Sequence, residues 1–71
     1  MKEEDKIKLT KIDCDKMLMA LIGSKEMVEQ WWQGPNFAFD MRRPIDVLYS
    51  GDEGRQSVFS YLSEHCYGGY H

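Results

Sequence analysis

The feature that most restricts this chain is its punctuation. Gly23-Ser24, Gly34-Pro35 and Ser50-Gly51 divide its 71 residues into segments of modest length. Within those segments apolar residues recur at the 3.6-residue period of a helix, and nowhere do they alternate as a half-buried strand would. Met17, Leu18, Leu21 and Ile22 make one stripe, with Asp13 able to cap the helix start and Gly23 able to take the left-handed backbone that ends it. Ser24 can cap a second helix, from Lys25 to about Gln33, with the stripe Met27, Val28, Trp31 and Trp32. Gly34 and Pro35 close it, because proline has no N–H to offer and restricts the residue before it. Residues 36–43 read as a compact connection with one helical turn around Phe37 to Phe39. Pro44 opens a short third helix that carries Ile45, Leu48 and Tyr49 on one face. Ser50-Gly51-Asp52-Glu53 fits a capping box for the last helix, whose stripe is Val58, Phe59, Leu62 and Cys66 and whose end is Gly68-Gly69. Residues 1–12 are mostly charged and read as an arm or a frayed helix start; residues 13–71 read as a single domain. The fold class is all-α, a compact bundle of about four short helices.

Charge narrows the partners. Residues 1–16 hold five lysines and five acids and are neutral, so the whole formal charge of −3 falls on residues 17–71. An acidic module of this kind offers no electrostatic footprint for DNA or RNA, and no direct nucleic-acid binding is expected. The longest apolar run, Met17 to Ile22, is far too short to span a bilayer, and no signal peptide precedes a cleavage site. Cys14 and Cys66 are then expected to be reduced thiols in a cytoplasmic protein.

Chemistry is hard to build from these residues. Structural zinc needs paired ligands, and His65-Cys66, Cys14 and His71 supply no second pair. A Cys–His dyad lacks a carboxylate placed to orient the histidine, and Cys66 lies on an apolar stripe where a thiol acts as a small hydrophobe. Gly34, Gly51 and Gly54 end or cap helices rather than cradle a phosphate. No metal, no cofactor and no catalytic residue is expected, and the chain reads as a non-enzyme.

A binding role fits better. Trp31 and Trp32 lie about 100° apart on a helix, so one can face the core and the other its edge. Tryptophan is a preferred interface anchor, and Trp32 is taken as a candidate contact. Arg42, Arg43, Arg55 and Glu64 are candidate polar contacts. Tyr61, Tyr67, Tyr70 and His71 are too many aromatic groups for so small a core and suit a docking surface.

From Val28 onward the chain reads VEQWWQGPNFAFDMRRPIDVLYSGDEGRQSVFSYLSEHCYGG. This resembles the toxin-binding domain of Xre/MbcA/ParS-like antitoxins. Trp31-Trp32 fall on that family's tryptophan-leucine pair, Pro35-Asn36 on its proline-asparagine pair, and Ala38-Phe39 on its hydrophobic pair. Pro44, Ile45, Val47 and Leu48 match its proline-led helix; Gly54, Arg55 and Val58 match its Gly-Arg step, with Leu62 in register. The chain departs at Asp40-Met41-Arg42, where family members usually have a glycine-rich turn, and at Arg43, where they usually have a threonine cap. It also has no room for the family's N-terminal DNA-binding domain, so promoter autoregulation is not expected. The resemblance implies an inhibitor that covers the active site of a RES-type, NAD-consuming toxin, with the segment Ser63 to His71 against the enzyme and with homodimers common. Two other roles suit the same fold: a phage or mobile-element inhibitor of a host or defence protein, and a homo-oligomeric structural module.

Overall fold

The computed structural model describes residues 3–66, with side chains from Asp5 onward. Among these residues there are four α-helices and no strand: α1 (Glu3–Ile22), α2 (Lys25–Gln33), α3 (Pro44–Leu48) and α4 (Asp52–Cys66), with a 3-10 turn at Phe37–Phe39. The expected bundle is therefore the observed one. The long helices α1 and α4 pack against each other, α3 packs against α4, and α2 packs against α1 and α3.

The buried residues explain this arrangement. Ile7, Cys14, Met17 and Leu18 come from α1, Val28 and Trp32 from α2, Val47 and Leu48 from α3, and Val58 and Leu62 from α4. The sets on α1, α2 and α4 recur at three-, four- and seven-residue steps, and Val47 and Leu48 follow the buried Pro44 by three and four residues, so each helix presents one stripe to a common centre. The outer members of the expected stripes fall at the rim: Leu21, Met27, Tyr49 and Phe59 are exposed. Four short helices can close completely around only one layer of side chains.

Helix α1 begins at Glu3, not near Asp13, and Asp13 is an exposed mid-helix residue rather than a cap. Ile7 and Thr10 hold this first half in place by packing inward. The buried Thr10 hydroxyl donates to the Lys6 carbonyl at 2.8 Å, which lets a polar residue sit on a packed face. The break at Gly23 is as expected, with φ 78°, a backbone that glycine adopts without steric cost. Ser24 caps α2 by accepting from the Met27 N–H. Gly34 ends α2 in an extended conformation, the one its proline neighbour enforces.

The capping box at Ser50 does not form. The Ser50 hydroxyl turns back and donates to the Val47 carbonyl at 2.7 Å, so it closes α3 rather than opening α4. Gly54 likewise does not end or cap a helix. It lies inside α4, where a Cβ would overlap the Val47 carbonyl oxygen and the Ser50 hydroxyl. Glycine there is what allows α4 to lie directly against the end of α3.

Candidate functional site

An open groove of about 730 Å³ lies between α4 and the segment that joins α2 to α3. One wall is the turn, through Phe39, Asp40 and Arg42. The other is α4, through Ser57, Tyr61 and Glu64, and the start of α4 closes one end with Asp52, Glu53 and Gly54.

The turn is built around Asn36. Its side-chain oxygen accepts from the Ala38 N–H at 2.9 Å, and its carbonyl accepts from both Phe39 and Met41 N–H groups at 2.9 Å. Its own N–H donates to the Arg42 carbonyl at 3.1 Å, forming an isolated antiparallel bridge. These bonds hold Asp40 at φ 57° and Met41 at φ 65°, two successive non-glycine residues in the left-handed region. Phe37 points out of the turn and is 89% exposed.

The floor of the groove is aromatic. Tyr61 stacks on Trp31 with ring centres 6.4 Å apart and meets the edge of Phe39 at 5.3 Å. His65 lies against Tyr61 at 4.4 Å, and its Nδ1 is 2.8 Å from the Tyr61 carbonyl. Around this floor the charge is mainly negative, with Asp40, Asp52, Glu53 and Glu64 set against Arg42. A surface of this kind can bind; the described residues contain no group of three or more His, Cys, Asp or Glu side chains that could hold a metal ion.

The tryptophan assignment needs correcting. Trp32 is the core residue, 1% exposed, with its indole N–H donating to Asp15 at 2.7 Å, and it has no surface to offer a partner. Lys11 completes that site, bonded to Asp15 at 3.0 Å and lying 4.9 Å from the Trp32 ring. The tryptophan at the edge is Trp31, because the 100° step on α2 turns Val28 and Trp32 inward together.

The arginines separate as well. Arg42 is exposed on the groove wall. Arg43 is exposed but engaged, bonding both Asp46 carboxylate oxygens at 2.8 and 2.9 Å and the Gln33 amide oxygen at 2.7 Å. The hydrogen bond from Arg43 holds the Asp46 carboxyl below its usual range, so the two charges largely cancel at the surface. Arg55 is mostly buried between α1 and α4, 3.4 Å from the Thr10 hydroxyl and 3.6 Å from Asp52, with its Nε enclosed and unpaired. Of the proposed contacts, the groove brings together Arg42, Tyr61 and Glu64. Tyr67, Tyr70 and His71 lie outside the described residues. The sequence reading did not single out Trp31, Phe39 or Asp40 as site residues; the Asn36 turn that brings Phe39 and Asp40 to the groove has no strong local signature.

Both cysteines are free. Cys14 is fully buried, and burial, with the nearby charges of Asp15 and Asp13, pushes its thiol up to about 12. Cys66 is half-buried and packs against the core, while His65 is exposed.

The model of one protein family, described as the antitoxin Xre/MbcA/ParS C-terminal toxin-binding domain, matches residues 17–68. That span contains α2, α3, α4, the Asn36 turn and every described residue of the groove. No curated protein and no solved structure matches the chain.

Proposed function

This chain belongs to the antitoxin Xre/MbcA/ParS C-terminal toxin-binding domain family, and from that premise we infer that it is an antitoxin-type inhibitor that docks on a RES-type, NAD-consuming toxin and blocks the active site by occlusion. The family match across residues 17–68 carries the reading. The groove supports it, since it is a broad surface with an aromatic floor and a mainly acidic rim. Where the partner's active site carries positive groups for the pyrophosphate of its dinucleotide, an acidic occupant is complementary to them. The contact residues on this reading are Arg42, Tyr61 and Glu64 of the groove, together with Tyr67, Tyr70 and His71. No chemistry by this chain is required.

The test is co-expression with a RES-type toxin in a host whose growth and NAD level the toxin depresses. The full chain is expected to restore both and to co-purify with the enzyme; the Met1–Tyr67 truncation is expected to lose most of the effect. A toxin that still depletes NAD and fails to co-purify would refute this reading. The acidic rim also suits a second reading, a phage or mobile-element inhibitor that occupies a basic groove on a host or defence protein. On that reading binding weakens steeply with salt and the toxin is not the target.

A further inference from the structure

We propose that the Asn36 turn is a preformed anchor, whose Phe37 and Met41 side chains enter an apolar pocket with a basic rim on the protein that this chain binds. The proposal rests on the inhibitor reading for the identity of that protein, but its physical basis is separate.

Phe37 is 89% exposed and Met41 58% exposed, on one short turn. Exposed apolar residues scattered singly need no explanation, but Met41 comes with a conformational cost. Met41 and Asp40 hold left-handed backbone angles that glycine would adopt without strain. The Met41 side chain is not part of the core, so nothing in its burial offsets that strain. Four hydrogen bonds, three through the Asn36 backbone and one through its side chain, fix the turn before any partner arrives. A pre-ordered side chain loses little freedom on binding, which is the property of an interface anchor.

The occupant follows from shape, area and charge. Phe37 projects from the turn, 89% exposed, and so fits a recess in a partner. An aromatic side chain buries roughly 150–250 Å², so two such turns meeting each other fall well short of the roughly 800 Å² per partner of a stable interface. The turn therefore acts as one anchor within a larger contact, and the groove beside it supplies the remainder, since Phe39, Asp40 and Arg42 belong to both. Four acids and one arginine line that groove, which calls for positive groups around the receiving pocket.

Two substitutions and one cross-link test this. Phe37→Ala is expected to leave the melting temperature unchanged and weaken the affinity for the purified toxin by about thirtyfold or more, as loss of an interface anchor does. Met41→Gly is expected to raise the melting temperature while weakening binding, a combination that a merely structural residue would not give. Binding within threefold of the parent for both variants overturns the proposal. If the parent chain does not bind the toxin, the toxin reading fails, and a photo-reactive phenylalanine analogue decides the anchor separately. Placed at position 37 in cells of the source, with position 9 as the control, it is expected to join one foreign protein at apolar residues flanked by Lys or Arg. Adducts to a second copy of this chain, or no more adducts at 37 than at 9, overturn it.

Discussion

Replacing Gly54 by alanine sets two effects of opposite sign against each other. Gly54 lies in the first turn of α4, and in a helix alanine is favoured over glycine by about 1 kcal/mol. On propensity alone Gly54→Ala should stabilise the protein. The added Cβ, however, would overlap the Val47 carbonyl oxygen and the Ser50 hydroxyl, and it would lie 3.1 Å from the Val47 carbonyl carbon. The hydroxyl can rotate away; the carbonyl cannot, because it belongs to the backbone of α3. Relief then requires α3 and α4 to separate, which loosens Val47 and Leu48 against Val58 and Leu62. Overpacking of this kind costs typically about 1–3 kcal/mol, and a rigid backbone neighbour puts the cost at the upper end. The expected net loss is about 1–2 kcal/mol. For a domain of this size that lowers the melting temperature by about 5–15 °C. Thermal melts followed by circular dichroism measure it directly. Ser50→Ala added to Gly54→Ala should recover little, since the Val47 oxygen remains. A Gly54→Ala protein that melts at or above the parent temperature would refute the reasoning, because helix propensity would then have outweighed the contact.

The two thiols should differ sharply under a thiol reagent, with Cys66 reacting in the native protein and Cys14 only after unfolding; equal native rates would contradict the packing of α1. Because the folded-state value of Cys14 is raised from about 9 to about 12, the unfolded chain releases its proton first as pH rises. Stability should therefore be unaffected by this group below about pH 9 and should fall between about pH 9 and 12, by up to about 1.4 kcal/mol per pH unit; Cys14→Ala or Cys14→Ser melts that keep the same alkaline slope would remove this cause. Trp32→Phe removes the hydrogen bond to Asp15 and should cost about 1–2 kcal/mol, since that bond goes to a charged but partly solvated group. The remaining emission, from the edge residue Trp31, should be red-shifted relative to the parent, and an unshifted spectrum would place the two indoles the wrong way round.

Much of the fold is legible in the residues themselves. Gly23, Ser24, Pro35 and Pro44 act through local backbone chemistry, so the breaks they make fall where a reader of the sequence puts them. The helical period likewise identifies Leu18, Val28, Leu48, Val58 and Leu62 as inward-facing, since a helix carries its period with it wherever it packs. The ordered set from Trp31 to Leu62 also points to the family before any coordinates are known. Other features depended on what lies across the core. Charged residues around Ile7 and Thr10 hide a helical half that is held by packing on α4. Ser50 has the sequence of a cap for the following helix, but α3 ends close enough to take its hydroxyl first. Gly54 looks like a helix-end glycine until the Val47 carbonyl is seen against it. Which tryptophan faces inward, and which arginines remain at the surface, depends on the rotation of α2 and α4 about their axes. That rotation is set by the sum of all contacts between helices, and only the tertiary structure contains it.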